Sequence, residues 1–242
     1  MKTHPIRFLP VVFAGWLAFT SAAVGGDADK GFQDLFNGKD LTGWEGNPDL
    51  WSVEDGAITG RTTAANALRS NTFLVWTNGT TTDFELRLSY KLVNGNSGIQ
   101  YRSRLLDPEK FIVGGYQADF EAGTTYSGIL YEERGRGILA RRGQVTQVKP
   151  DPADPDKHVV EVIGSVGETG ELQANIRGED WNDYTIIANG NQLTHLINGR
   201  VTALVIDEHP GRAASTGLLA LQLHTGPPMT LQVKNIRLRP LN

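Results

Sequence analysis

Cysteine is missing altogether from the 242 residues. That absence removes disulfides, thiolate zinc sites and cysteine nucleophiles, so any bound metal must be held by oxygen or imidazole. An excess of positive charge is missing too: 23 basic against 27 acidic residues leave a net charge of −4 and no electrostatic footprint for nucleic acid. No uninterrupted apolar run reaches the roughly 20 residues that a membrane-spanning helix needs. No segment repeats at a fixed period, and no His-x-x-His or Glu-x-x-His spacing marks a metal site. Glycine, by contrast, is plentiful at 28 residues, while 39% hydrophobic and 21% charged residues are ordinary globular values. That balance speaks against a disordered or collagen-like chain, and the length suits one large domain with a sizeable core.

Lys2 and Arg7 precede an apolar run from Phe8 to Phe19, and the small residues Ser21, Ala22, Ala23 and Gly25 follow. Basic, apolar and small-residue regions in that order describe a secretory signal peptide over residues 1–23, cut after Ala23 or Gly25. With no cysteine at the exit, a lipid anchor is not expected. The mature protein is therefore expected to be periplasmic or secreted, away from membrane and nucleic acid.

Beyond the leader, short runs of period two recur between clusters of Gly, Asn and Asp. Phe84-Glu85-Leu86-Arg87-Leu88-Ser89-Tyr90 is the clearest, with one face for a core and one for solvent. Comparable runs begin at Leu50, Ala57, Phe73, Gly98, Gly115, Ser127, Ile138, Asp183, Gln192, Val201, Gly217 and Thr230. Asn198-Gly199 between two such runs is a strong hairpin signal. The pattern breaks only at the Asp/Pro-rich segment 150–155 and at His158–Arg177, the one place for one or two short helices. Many short strands with one helical excursion describe an all-β, antiparallel two-sheet sandwich, a single domain over residues 31–242.

Six fragments share a further property. Phe32-Gln33-Asp34-Leu35-Phe36-Asn37-Gly38-Lys39-Asp40-Leu41-Thr42-Gly43-Trp44 resembles the opening signature of the 3-keto-disaccharide hydrolase domain family. So, in order, do Asn96–Arg102, Gly115–Asp119, Ser127–Glu132, Asp180–Tyr184 and Leu221–Met229, spanning about Gly31 to Leu241. The resemblance implies a concanavalin A-like jelly roll with a carbohydrate-binding face, and cleavage of glycosides already oxidised to a ketone at sugar carbon 3. Phe120-Glu121-Ala122-Gly123 is a loop that departs from the family pattern.

Alternation sorts the polar residues of three strands. Gln100, Arg102 and Arg104 share a face opposite Ile99 and Tyr101; Gln117 and Asp119 share one opposite Tyr116, Ala118 and Phe120; Gln222 and His224 share one opposite Leu221 and Leu223. Amide, guanidinium, carboxylate and imidazole heads suit directed hydrogen bonds to sugar hydroxyls and carbonyls. An ordinary solvated sheet face is the alternative. Asp119 is the first candidate base, with a structural ion pair to Arg102 as its alternative; Glu132 is the second. His224 precedes a stiff Thr-Gly-Pro-Pro loop. His195 shares a face with Leu193 and Ile197, which makes it a core histidine by geometry, although the resemblance keeps it as a substrate contact beside Tyr131 and Arg136.

A ketone at carbon 3 acidifies the proton on carbon 2, so a modest base suffices to start elimination of the group on carbon 1; water addition completes hydrolysis. On the implied chemistry, Asp119 or Glu132 is the base, Arg102 and Gln100 steady the enolate, and His224 protonates the leaving group. A divalent cation is an alternative enolate stabiliser, with no ligand set to name for it. Gln117, Gln222, Tyr131, Arg136 and His195 complete the substrate contacts. A retaining glucanase on this fold would carry a Glu-x-Asp-x-x-Glu cluster, which the chain lacks. A non-catalytic carbohydrate-binding module is the remaining alternative, because binding draws on the same residue types.

Overall fold

The alternation in Phe84–Val93 carries into three dimensions. Phe84, Leu86, Leu88, Tyr90 and Leu92 are all buried, while Arg87 and Lys91 are partly exposed. A computed structural model describes Met1 and residues 30–241, so the expected leader lies outside the described residues apart from Met1. Among the described residues no helix is long and apolar enough to cross a membrane.

In chain order the strands are β1 (Gln33–Asp34), β2 (Trp44–Glu45), β3 (Trp51–Glu54), β4 (Ala57–Arg61), β5 (Thr72–Trp76), β6 (Phe84–Val93), β7 (Asn96–Asp107), β8 (Ile112–Glu121) and β9 (Leu130–Glu133). They continue with β10 (Gly137–Ala140), β11 (Gln144–Asp151), β12 (Asp154–Ser165), β13 (Asn182–Asn189), β14 (Gln192–Ile197), β15 (Arg200–Asp207), β16 (Leu218–Leu223) and β17 (Thr230–Pro240); helix α1 (Thr169–Ala174) lies between β12 and β13. One sheet runs β12-β11-β15-β14-β13-β6-β17-β4-β3 with β1 added on β17, and the other runs β10-β9-β8-β7-β16-β5-β2. The pairings are antiparallel except β11 with β15. The architecture is the expected all-β jelly-roll sandwich with one short helix.

Aromatic rings from both sheets meet at its centre. Tyr90 of the first sheet stands 4.1 Å from Phe120 of the second, and Phe84 stands 5.9 Å from Tyr101. Such pairs add to the burial of large apolar area that holds the two layers together. Trp44, Trp51 and Trp76 are buried in the same core. Between β14 and β15, Asn198 and Gly199 both take positive φ (49° and 77°), as a two-residue hairpin turn of the mirror-image type requires.

The excursion His158–Arg177 holds the expected short helix at Thr169–Ala174, and its first part is an additional strand, within β12 and paired with β11. The Pro-rich segment 150–155 is the turn of that hairpin, closed by Asp151 opposite Asp154. Val159, Val160, Val162 and Ile163 are β-branched residues, whose stiff side chains favour a pleated strand over a helix.

Candidate active site

The same alternation that buries Tyr116, Ala118 and Phe120 turns Gln117 and Asp119 to the outer face of the seven-stranded sheet. Across the ladder, Gly98 pairs with Asp119 and Gln100 with Gln117 on β7, and Tyr131 pairs with Gln117 and Glu133 with Gly115 on β9. These neighbours share that outer face. It carries a cleft of about 660 Å³ lined by Asn96, Gln117, Asp119, Tyr131, Glu133 and His224 with several others.

Buried amides run beneath the cleft in one direction. Ser103 Oγ donates to Gln100 Oε1 (2.6 Å), and Gln100 Nε2 donates to Gln117 Oε1. Gln117 Nε2 donates to Asp119 Oδ1 (2.6 Å) and, at 3.3 Å, to Gln222 Oε1; Gln222 Nε2 donates to Glu133 Oε2 (3.4 Å). Each glutamine accepts on the side away from the carboxylates and donates toward them, so the bonds polarise one another in a site of low dielectric. Asn71 closes the circuit: its Nδ2 donates to Glu133 Oε1 (3.2 Å) and its Oδ1 accepts the Thr225 N–H (2.9 Å), tying the loop beside His224 to the second carboxylate.

Asp119 is 6% exposed, and burial raises its pKa from 3.8 to about 8. The Gln117 hydrogen bond opposes the shift, while the negative charges of Glu133 and Glu121 add to it. Tyr131 is pushed up as well, first by burial and then by Glu133 and Asp119, so its phenol stays a neutral donor. Among the described residues no group of three or more His, Asp or Glu side chains is assembled to hold a metal ion.

The structure thus brings together Gln100, Gln117, Asp119, Tyr131, Gln222 and His224 on or directly under the cleft. It does not bring in four other candidates. Arg102 takes φ 46° where the β7–β8 register slips between Tyr101 and Arg104, which breaks the alternation. Its side chain turns away to Asp83 (2.6 Å) and to the carbonyls of Thr82 (2.7 Å), Gly190 (2.7 Å) and Ala214 (3.2 Å). Arg102 is therefore a tie between loops, paired with Asp83 and not with Asp119. Glu132 pairs with Tyr116 across the ladder and so faces inward. It binds Arg136 Nε (2.6 Å), and Arg136 in turn binds Asp207 (2.6 and 3.0 Å) in a buried ionic cluster between the sheets. His195 is fully buried, bonded to Tyr101 OH through Nε2 (2.9 Å) and to the Ile129 carbonyl through Nδ1 (3.1 Å). Burial takes its pKa down to about 3, against the smaller pull of that carbonyl. It is the core histidine its alternation describes.

Glu133 is the residue that sequence reasoning missed, with Asn71, Asn96, Glu121 and Tyr126. The signal for Glu133 was present: it lies two residues beyond Tyr131 and so on the same face, whereas Glu132 has the opposite one. Asn71, outside any alternating polar pair, had no such signal.

The model of the 3-keto-alpha-glucoside-1,2-lyase-like domain matches residues 31–239. The chain belongs to that family. No curated protein matches it. Among solved structures, a candidate glycosyl hydrolase from Parabacteroides distasonis ATCC 8503 is similar at a TM-score of 0.54 and 19% identity, covering 88% of this chain and 94% of that one. The carbohydrate-binding module CBM66 from Bacillus subtilis is similar at 0.51 and 14%, covering 83% and 98%. SCLam, a non-specific endo-beta-1,3(4)-glucanase of family GH16, is similar at 0.52 and 12%, covering 86% and 91%. At these identities the likeness is one of fold alone, the two-sheet jelly roll described above.

Proposed function

We propose that the domain is an exported carbohydrate-active enzyme that cleaves 3-keto-glycosides by elimination across carbons 1 and 2 followed by hydration. The observation that carries this reading is Asp119, a carboxyl buried at the floor of an open cleft with its pKa raised to about 8. A general base works best with a pKa near the operating pH, and the raised value brings Asp119 there. Membership of a family described as 3-keto-alpha-glucoside-1,2-lyase-like supports the same reaction, and a fold shared with a glucanase and a carbohydrate-binding module supports a carbohydrate ligand. The leader pattern in residues 1–23 supports export.

In this scheme ionised Asp119 removes the proton from carbon 2, and the electron pair passes to the carbon 3 oxygen as an enolate. Tyr131, a neutral phenol, and the Asn96 amide line the cleft as donors for that oxygen. His224 hands a proton to the leaving oxygen as the bond from carbon 1 breaks. Water then adds through its oxygen to carbon 1 of the enone and gives a proton back to His224, while Asp119 returns its proton to carbon 2. Gln117 holds the carboxyl in position throughout.

The test is a product assay with 3-keto-glucosides and their unoxidised parents, on the wild type and Asp119→Asn. Turnover of the keto forms alone, lost in the variant, is expected. Cleavage of unoxidised glycosides would identify a conventional glycosidase, and binding without turnover a non-catalytic module; either result overturns the proposal.

A further inference from the structure

We infer that Tyr126 is a stacking platform for a second pyranose ring, that of the leaving group, beside the ring that reacts at Asp119. The inference rests on the proposed reaction for the assignment of that ring as leaving group, though not for the platform itself. Tyr126 is the only exposed aromatic residue among the described ones, and it lines the same cleft as Asp119. An exposed aromatic face is a large apolar area left unused by the fold.

Its loop is held firmly. Glu121 Oε1 accepts the N–H of Tyr126 (2.8 Å) and that of Thr125. Ser127 Oγ accepts the N–H of Glu121 (2.9 Å). From behind, the buried guanidinium of Arg142 donates to the carbonyls of Thr124 and Ser127, each at 2.6 Å. The residues on both sides of Tyr126 are thus fixed by charged or buried groups, and the ring stands on a backbone ordered before any ligand arrives. Preorganisation of this kind lowers the entropic cost of binding.

The cleft is also two-sided in character. Ile129 and Ile138 line it with Tyr126, whereas Asp119, Gln117 and Glu133 supply the polar part. A pyranose has the matching character, with C–H faces that pack on an aromatic ring and a hydroxyl rim that seeks amides and carboxylates.

The experiment compares wild type, Tyr126→Ala and Tyr126→Phe by two readouts, with melting curves confirming the fold. In the first, kcat/KM is measured on a 3-keto-disaccharide and on a 3-keto methyl glucoside. Tyr126→Ala should lower the disaccharide-to-methyl ratio by about tenfold, and Tyr126→Phe should keep it within about twofold. An equal loss on both substrates, or no loss, overturns the platform. In the second readout, saturation-transfer NMR follows unoxidised maltose and cellobiose, with no turnover needed. Transfer to the C–H protons of one ring should vanish in Tyr126→Ala and persist in Tyr126→Phe; undiminished transfer in the alanine variant, or none in the wild type, overturns the platform. Failure of every 3-keto-glycoside to react would remove the proposed reaction, while the NMR readout would still decide Tyr126.

Discussion

The side chain of Gln117 lies over Gly98: a Cβ built on that glycine would stand 2.5 Å from Gln117 Cγ and 2.7 Å from the Nε2 that holds Asp119. Gly98 is also the ladder partner of Asp119. A bare position on β7 is what allows the amide on β8 to fold over the sheet and meet its own carboxyl.

Gly98→Ala should therefore push Gln117 off Asp119. Crowding a packed site costs about 1–3 kcal/mol, and the larger effect should be on kcat. Steady-state kinetics and chemical denaturation of the same preparation check both; an alanine variant with wild-type kcat would show that the amide bond to Asp119 does not matter to the reaction.

Asp119 gives a pH dependence with a definite sign. It titrates near 8 in the folded chain and near 3.8 as an ordinary aspartate. Between those values the native state binds the extra proton, so this residue lowers stability as pH rises from about 4 to about 8. Asp119→Asn should melt higher than wild type at pH 8, with the gap closing at pH 4. The same variant should lose about 100- to 10,000-fold in kcat, and wild-type kcat should climb through pH 8 as the carboxyl ionises. A flat rate profile from pH 6 to 9 would remove Asp119 as base.

His195 acts in the opposite direction. Buried and neutral, it titrates near 3 when folded and near 6.5 otherwise, so the unfolded chain takes up the proton first as pH falls. Its contribution is intact above about 6.5 and is lost as pH drops toward 3. His195→Gln should flatten acid unfolding across that window while costing about 1–3 kcal/mol at neutral pH through the partners it leaves unpaired. Melting temperatures from pH 4 to 7 on both proteins decide this; parallel curves would contradict it.

Arg136 is assigned to stability, not catalysis. Removing it leaves Asp207 as a buried, uncompensated charge and Glu132, partly exposed, without its cation, a loss worth about 3–5 kcal/mol. Arg136→Met should melt far lower, yet the folded fraction at low temperature should keep wild-type kcat and KM. A selective rise in KM at unchanged stability would return Arg136 to the substrate contacts.

The pairing of residues on faces was legible wherever strands were regular. Gln100, Gln117, Asp119 and Gln222 lie on one surface because period two is a property of the extended backbone itself. It failed at Arg102, where a positive φ and a register slip reverse the side chain, and at Glu132, where the neighbour Glu133 holds the cleft position. A bulge depends on what the adjacent strand requires, and nothing local to Tyr101-Arg102-Ser103 announces it. The strand over His158–Ser165 went unread for a related reason: β12 is a strand because β11 is there to pair with it.

By itself, then, the amino-acid sequence determined an all-β sandwich, the inward and outward face of each regular strand, and the family to which the chain belongs. Those properties follow from short-range alternation and local turn chemistry, which travel with the residues. Which carboxylates meet was settled only by tertiary structure. Asp119 of β8, Glu133 of β9, Gln222 of β16 and Asn71 ahead of β5 are distant in the chain and join through strand order and register. The raised pKa of Asp119 likewise comes from burial and from neighbouring charges that folding alone brings close.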